Sequence, residues 1–128
     1  MYKEYIRPLL FRGDPEKVHN LTILVGRFLA ASRLSWLLKK KFVFKNKKLE
    51  NKVMGIKFEN PIGLAAVFDK NANLVDFIPD IGFGFIEVGS VTANPCAGNP
   101  RPRLRRLIKD QVIIVNYGLA NEGADRVR

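Results

Sequence analysis

The sequence is poor in residues that build covalent or metal-held frameworks. Its 128 residues include one cysteine, Cys96, one histidine, His19, and one tryptophan. A single cysteine excludes a disulfide within the chain, and a reducing compartment is the simplest interpretation. We predict no metal site.

The sequence also lacks an uninterrupted apolar run long enough to cross a bilayer, which takes about 20 residues. The longest apolar helix candidate is interrupted by His19, Arg27 and Arg33. The first residues do not show the pattern of a secretory signal peptide. With 47% hydrophobic and 27% charged residues, the composition is typical of a globular domain with a core.

Acidic residues are scarce in the first part of the chain. Residues 1–57 contain 14 lysines and arginines against 4 aspartates and glutamates, whereas residues 58–128 contain 8 of each class. The net charge of +10 therefore belongs to the first part, which indicates two parts with different roles. The lysines could also form only a solvated face. Because no basic and aromatic recognition motif is present, we do not expect nucleic acid as a partner.

Helices are predicted in this basic part. Asp14, Pro15 and Glu16 suit a helix start, with Asp14 as the N-cap and Pro15 at the first helical position. The helix that follows carries an apolar stripe at helical spacing, made of Val18, Leu21, Val25, Phe28 and Leu29. A segment over residues 2–11 precedes it and ends at Gly13, and another over residues 34–42 follows it.

After residue 45 the periodicity changes, and short apolar runs follow. Strand material is predicted over residues 53–58, 62–68, 83–88 and 112–115. The run over 62–68 is nearly continuous, as in a strand buried on both faces, and 112–115 is also predicted to be buried. A helix is predicted over 73–81, with an end or kink at Pro79 and Gly82 as its cap. This alternation predicts an α/β fold with a parallel sheet.

Polar or small residues follow each of the last three predicted strands. They are Asp69-Lys70, Gly89-Ser90 and Asn116-Tyr117-Gly118. The carboxyl ends of parallel strands meet at one edge, where such folds bind ligands. Lys70 could therefore face an anionic ligand, or it could be a surface lysine paired with Asp69. The residues alone leave both interpretations open.

Four segments in this order and spacing resemble one family. They are MYKEYIRPLLFRGDPEKVHNLT, PIGLAAVFDKNA, GFGFIEVGSVT and GNPRPRLRRL. Together they are similar to the quinone-dependent (class 2) dihydroorotate dehydrogenases over essentially the whole chain. The resemblance implies a (β/α)₈ barrel preceded by a small helical domain. It also implies oxidation of dihydroorotate to orotate in pyrimidine (UMP) biosynthesis, with FMN as cofactor and a membrane quinone as electron acceptor.

The resemblance also implies a division of the chain. Residues 1–45 would form a basic amphipathic helical domain at the quinone tunnel and an anionic membrane surface. Residues 46–128 would form the N-terminal part of an FMN-binding barrel, on the cytoplasmic side of the membrane and peripheral to it. Because a complete barrel takes roughly 250 residues, we expect an incomplete (β/α)₈ TIM barrel. We expect the catalytic base beyond residue 128, and the chain alone to be inactive and without stoichiometric FMN.

Site residues follow from the resemblance position by position. The FMN-binding set is Ala66, Val67, Phe68, Asp69, Lys70 and Ser90. The substrate-binding set is Lys70, Asn116, Tyr117, Gly118 and Leu119. The quinone-site residues are His19 and Arg106. The ammonium of Lys70 would offset negative charge on the substrate and on the reduced flavin, and no catalytic residue is assigned within the chain.

The sequence departs from the family pattern in two places that matter. Val67 stands where the family has glycine, and a β-branched residue neither lets the backbone approach a ligand closely nor adopts a positive φ easily. An ungapped match puts Val115, rather than Asn116, at the position of the family's asparagine. We predict that Asn116 takes the role through a shift of one residue. Ala120 also replaces a usual polar residue, and Cys96 is expected to be inert.

Other functions remain compatible with these residues. The chain could be an inactive barrel fragment or a basic helical module that binds a membrane. It could also be part of a related flavin barrel that acts on another small acid, which the altered loop leaves open.

Overall fold

The computed structural model describes residues 2–32 and 34–127 of the chain. The described residues open with a π-helical turn over Tyr2–Ile6, which continues into α1 (Arg7–Arg12). Two longer helices follow, α2 (Pro15–Ala31) and α3 (Ser35–Phe42). These bounds confirm the predicted helical segments. Arg33, one of the charges predicted to interrupt an apolar run, lies outside the described residues.

The start of α2 forms as its sequence predicts. The side chain of Asp14 accepts a hydrogen bond from the amide of Lys17 at 2.9 Å, so it satisfies one of the free donors at the helix start. Pro15 occupies the first turn, where its missing amide hydrogen has no cost. Gly13 separates α1 from α2 in an extended conformation.

The apolar stripe of α2 is not buried. Leu21, Val25 and Phe28 are all exposed, and the buried residues of the helix are Glu16 and Gly26. Gly26 is buried because α2 crosses close to a neighbouring segment, and a Cβ there would lie 2.6 Å from a methyl carbon of Leu74. The helix therefore docks through a glycine and a charged residue, while three residues of its apolar stripe are exposed and the other two, Val18 and Leu29, are half-buried.

Residues 2–32 and 34–127 contain six short strands, which form three separate pairs. They are β1 (Asn51–Val53), β2 (Ile56–Phe58), β3 (Gly63–Leu64), β4 (Phe85–Ile86), β5 (Leu104–Leu107) and β6 (Val112–Val115). The β1–β2 and β5–β6 pairs are antiparallel hairpins, whereas β3 and β4 pair in parallel. The prediction of a parallel sheet is thus confirmed only for β3 and β4.

The predicted burial is wrong for both 62–68 and 112–115, although the strand predicted over 112–115 is confirmed with its bounds. Only Gly63 and Leu64 of the first run pair as a strand, because the chain turns at Val67, where φ is +82°. All four residues of β6 are exposed. β6 pairs with β5 across a short connection instead of joining β3 and β4, and the sequence analysis missed β5.

The helix predicted over 73–81 is also wrong in type. Turns lead into a 3₁₀-helix over Ile78–Ile81, since Pro79 supplies no amide hydrogen and disfavours the α conformation of the residue before it. Gly82 caps this helix at φ +95°, as predicted. A short helix, α4 (Ala124–Val127), follows the last loop.

The core of the described residues is small. Its fully buried apolar side chains, Leu74 and Ile78, belong to the segment that packs under α2 and α3. No single described helix is both long and apolar enough to cross a membrane, although α2 and α3 together, bent by 100°, reach that length and composition.

Candidate functional site

The chain turns sharply directly after β3. Val67 has a φ of +82°, which a β-branched residue adopts only at a cost. Its amide donates a hydrogen bond to the carbonyl oxygen of Gly89 at 3.1 Å, and its own carbonyl oxygen accepts one from the ammonium of Lys70. The structure thus gives Val67 the positive φ that a glycine at this position would allow.

Asp69 acts as a cap for the segment that follows. Its buried carboxylate accepts hydrogen bonds from the amides of Asn73 at 2.9 Å and Leu74 at 2.6 Å, and a longer one from Asn71 at 3.3 Å. No ion pair joins Asp69 to Lys70 in the described part of the chain. Asp69 therefore holds the backbone, and the interpretation of Lys70 as a surface lysine paired with it is wrong.

Lys70 lies against an aromatic ring. Its ammonium nitrogen is 4.0 Å from the centroid of the Tyr117 ring, a cation–π distance. Burial lowers the pKa of Lys70, and the nearby charge of Arg103 lowers this pKa further, while Glu16 and Asp69 act in the opposite direction.

Tyr117 is buried beside a second cation. The guanidinium carbon of Arg103 is 4.7 Å from the Tyr117 ring centroid. The Tyr117 hydroxyl has no hydrogen-bond partner in the described part of the chain, and burial raises its pKa. Two cations from different parts of the sequence thus meet one tyrosine.

Arg103 is anchored to the helical extension (residues 2–32 and 34–45, which include α2). Its guanidinium pairs with the buried carboxylate of Glu16 at 2.9 Å and donates to the carbonyl oxygen of Ala97 at 2.7 Å. Arg101 also pairs with Glu16, at 3.0 Å. Hydrogen bonding from Arg103 is the main reason that the pKa of Glu16 lies below its usual value.

A cleft of about 260 Å³ brings together most of the residues predicted for flavin and substrate. It is lined by Val67, Lys70, Gly89, Ser90, Val115, Tyr117, Gly118, Leu119 and Ala120. Ala66, Phe68 and Asp69 do not line it. Asn116 does not line it either, because its side-chain oxygen accepts a hydrogen bond from Asn99 at 2.9 Å.

An apolar cavity of about 450 Å³ lies on the other side of Tyr117. It is lined by Tyr2, Leu10, Phe11, Pro15, Val18, His19, Thr22, Val67, Phe68, Leu104, Arg106, Ile113 and Tyr117. Both residues predicted for the quinone site, His19 and Arg106, are among them. Val67 and Phe68, which were predicted to face the flavin, line the same cavity.

The two residues predicted for the quinone site are held differently. His19 makes an edge-on contact with the Phe68 ring at a centroid distance of 5.0 Å, and burial, then the charge of Lys70, lowers its pKa. Arg106 donates to the carbonyl oxygen of Gly13 at 2.9 Å, and its guanidinium lies 4.5 Å from the Phe11 ring centroid. The cavity therefore presents an imidazole whose protonated form is disfavoured and a guanidinium held by a backbone carbonyl.

A third, polar cavity of about 360 Å³ lies between α2 and the loops. Its walls include Glu16, His19, Lys70, Arg103 and Tyr117. The sequence analysis missed Glu16 and Arg103 as members of the site. Their signal was weak, because Glu16 suits any helix start and Arg103 belongs to a run of arginines.

Comparisons with known proteins identify the family of the chain. The family model for dihydroorotate dehydrogenase matches residues 48–128. The dihydroorotate dehydrogenase (quinone) of Christiangramia forsetii is 48% identical over 126 residues, which is 98% of this chain and 37% of that protein. The mitochondrial dihydroorotate dehydrogenase (quinone) of Mus musculus is 44% identical over 128 residues, which is 98% of this chain and 30% of that protein.

A solved structure supports the same fold. The crystal structure of the dihydroorotate dehydrogenase of Eimeria tenella in complex with ferulenol matches with a TM-score of 0.69 and 37% identity, over 89% of this chain and 28% of that one. The chain thus spans about a third of the length of the curated relatives it matches.

Proposed function

The chain belongs to the dihydroorotate dehydrogenase family, and on that premise we propose that it forms the N-terminal part of a quinone-dependent enzyme that oxidises dihydroorotate to orotate. The match to quinone-dependent relatives over nearly the whole chain favours this function over a membrane-binding module or a barrel for another acid. In this proposal residues 1–45 form the helical domain at the quinone tunnel, and residues 46–128 begin an incomplete (β/α)₈ barrel.

The observation that carries the proposal is the apolar cavity. The two residues predicted for the quinone site, His19 and Arg106, line a single space together with Val67 and Phe68. A quinone head group in this cavity would lie beside the turn that is proposed to contact the flavin. Such closeness is what electron transfer from flavin to quinone requires.

FMN is the proposed cofactor, and two side chains of the cleft suit it. The Ser90 hydroxyl is exposed and without a hydrogen-bond partner among residues 2–32 and 34–127, so it can bond to a flavin edge. The ammonium of Lys70 can offset negative charge there. Val67 lines the same cleft. When bound, FMN would accept the hydride of the substrate and deliver its electrons to the quinone.

Lys70 is also the proposed contact for the substrate carboxylate. A half-buried ammonium attracts an anion more strongly than one in bulk water does, because the local dielectric is lower. Tyr117, Gly118 and Leu119 line the cleft beside it, and so does Val115. Asn116 remains a proposed substrate contact, and in this role its side chain would have to leave Asn99.

Peripheral binding to the cytoplasmic side of a membrane completes the proposal. α3 exposes Trp36, Leu37 and Phe42, and the ammonium nitrogen of Lys40 lies 4.4 Å from the Trp36 ring centroid. Apolar side chains interspersed with lysines are typical of helices that lie in the interface of anionic membranes.

A chimaera tests the proposal directly. The 128 residues replace the matching third of the Christiangramia forsetii relative, and the purified chimaera is examined by its flavin absorbance and by orotate formation. We expect bound flavin and quinone-dependent orotate formation. A folded chimaera that carries flavin but forms no orotate, with the unaltered relative active in parallel, would refute the proposed activity.

A further inference from the structure

The ring of Tyr117 is a wall shared by all three cavities. Lys70 approaches this ring from the end of β3, and Arg103 approaches it from the segment just before β5, at 4.0 Å and 4.7 Å from its centroid. Arg103 is paired in turn with Glu16, in the first turn of α2. A continuous series of contacts therefore joins the helical extension to Lys70.

We propose that Glu16 is a positioning residue for Lys70: it supplies, from the helical extension, the negative charge that allows two cations to lie on one tyrosine ring. The proposal rests on the proposed function only where it assigns Lys70 to the site. The contacts themselves belong to this chain and need no bound cofactor.

The need for such a charge follows from electrostatics. Two like charges near one buried ring repel each other more strongly than they would in water, because the interior dielectric is lower. Glu16 is only 6% exposed, so solvent screens its charge poorly. It touches Arg103 directly, and it therefore offsets the cation that acts on Lys70.

Within the described part of the chain, no other charged group takes this role as directly. Asp69 also favours the charged form of Lys70, but its carboxylate oxygens accept hydrogen bonds from three backbone amides. His19, which faces the same polar cavity from α2, has a lowered pKa and adds no negative charge. Glu16 and Asp69 are thus the two anions that act on Lys70, and only Glu16 comes from the helical extension.

Removal of Glu16 alone leaves Arg103 in place. One guanidinium nitrogen of Arg103 donates to the carbonyl oxygens of Ala97 at 2.7 Å and Asn99 at 3.2 Å. These bonds do not involve Glu16. A Glu16→Gln variant therefore keeps the cation near Lys70 and loses the anion that offsets it.

The experiment measures the titration of Lys70 in the 128-residue chain. Acylation by a small amine-reactive reagent is followed at Lys70 by peptide mass spectrometry across pH, since only the neutral amine reacts. Glu16→Gln is expected to lower the pH at the midpoint of the Lys70 titration, and Arg103→Gln is expected to raise it. Glu16→Asp keeps the charge and should return the midpoint toward that of the unaltered chain.

Glu122→Gln is the matched control, because Glu122 also lines the polar cavity but does not contact Arg103. It should leave the midpoint unchanged. If Glu16 supported only the fold, its loss would expose Lys70 to water, and the midpoint would move up in Glu16→Gln as it does in Arg103→Gln. A midpoint in Glu16→Gln that moved up, or that did not change, would overturn the proposal.

If circular dichroism shows that Glu16→Gln does not fold, a second comparison tests the proposal. The double variant Glu16→Gln/Arg103→Gln removes both members of the buried pair, and its Lys70 midpoint should lie below that of Arg103→Gln alone. Equal midpoints would overturn the proposal. A folded chimaera that carried flavin but formed no orotate would refute the proposed function and leave these midpoints, which are measured in the 128-residue chain, unchanged.

Discussion

The amide of Val67 donates a hydrogen bond to the carbonyl oxygen of Gly89 at 3.1 Å, while Val67 itself has a φ of +82°. This bond links the turn after β3 to the end of the β4 segment, on either side of the proposed flavin cleft. It holds a β-branched residue in a conformation that glycine adopts freely.

Val67→Gly should therefore stabilise the chain. Relief of a positive φ at a residue other than glycine is worth about 1–3 kcal/mol, and the greater freedom of glycine in the unfolded chain takes back about 0.5–1 kcal/mol. We expect a net gain of about 1 kcal/mol in the free energy of unfolding in urea. Val91→Gly, at a valine without a positive φ, should instead destabilise.

Val67→Gly should also change the affinity for FMN. Because Val67 lines the cleft and glycine lets the backbone approach a ligand more closely, the chimaera that carries Val67→Gly should bind FMN more tightly than the chimaera with valine. Fluorescence titration of the apoprotein with FMN measures this, and equal or weaker affinity would show that Val67 does not restrict the cofactor.

Asp69→Ala should be strongly destabilising. The substitution leaves the buried donors of Asn73 and Leu74 without their acceptor, and each such loss costs about 1–3 kcal/mol. We expect a loss of at least about 2 kcal/mol in the free energy of unfolding. Asp76→Ala, an exposed aspartate in the same segment, should change stability by less than about 0.5 kcal/mol.

Binding to anionic vesicles should depend on the lysines of α3. Each lysine near an anionic surface contributes about 1 kcal/mol, so Lys40→Gln/Lys41→Gln should weaken binding to phosphatidylserine-containing vesicles by about tenfold or more. Co-sedimentation measures this. The control variant Lys52→Gln/Lys109→Gln removes two positive charges outside α3. An equal loss of vesicle binding in this control would show that binding depends on net charge and not on α3.

The stability of the chain should fall between neutral and mildly acidic pH because of His19. Burial lowers the pKa of this imidazole in the folded chain, so below about 6.5, the unfolded value, the unfolded state binds more protons than the folded one. Stability therefore declines as pH falls from about 6.5 toward the folded pKa. In His19→Gln, the free energy of unfolding in urea should not show this decline. An identical decline in the variant would show that another group causes it.

Local signals predicted much of the fold. Asp14 and Pro15 fix the start of α2, and Gly82 ends a turn of helix at a positive φ, because capping and glycine chemistry act over a few residues. The β5–β6 hairpin escaped prediction since its strand pairing depends on a tight turn, and since arginines in β5 obscure its alternation.

The site was predictable where it follows strand ends. Lys70 and Ser90 come together because β3 and β4 are parallel. Tyr117 follows β6, and its place in the cleft depends on the antiparallel β5–β6 hairpin. The pairing of Glu16 with Arg103 joins residues 87 positions apart, and no local signal indicates which cation a helix-start glutamate will meet.

The most direct test of the account separates the two half-reactions in the chimaera. Stopped-flow absorbance follows flavin reduction by dihydroorotate, then flavin reoxidation by a soluble quinone, in the unaltered chimaera and in Arg106→Gln. We expect unchanged flavin reduction and slower reoxidation in the variant, because Arg106 lines the apolar cavity and not the cleft. Unchanged reoxidation, or loss of flavin reduction with reoxidation intact, would contradict the account.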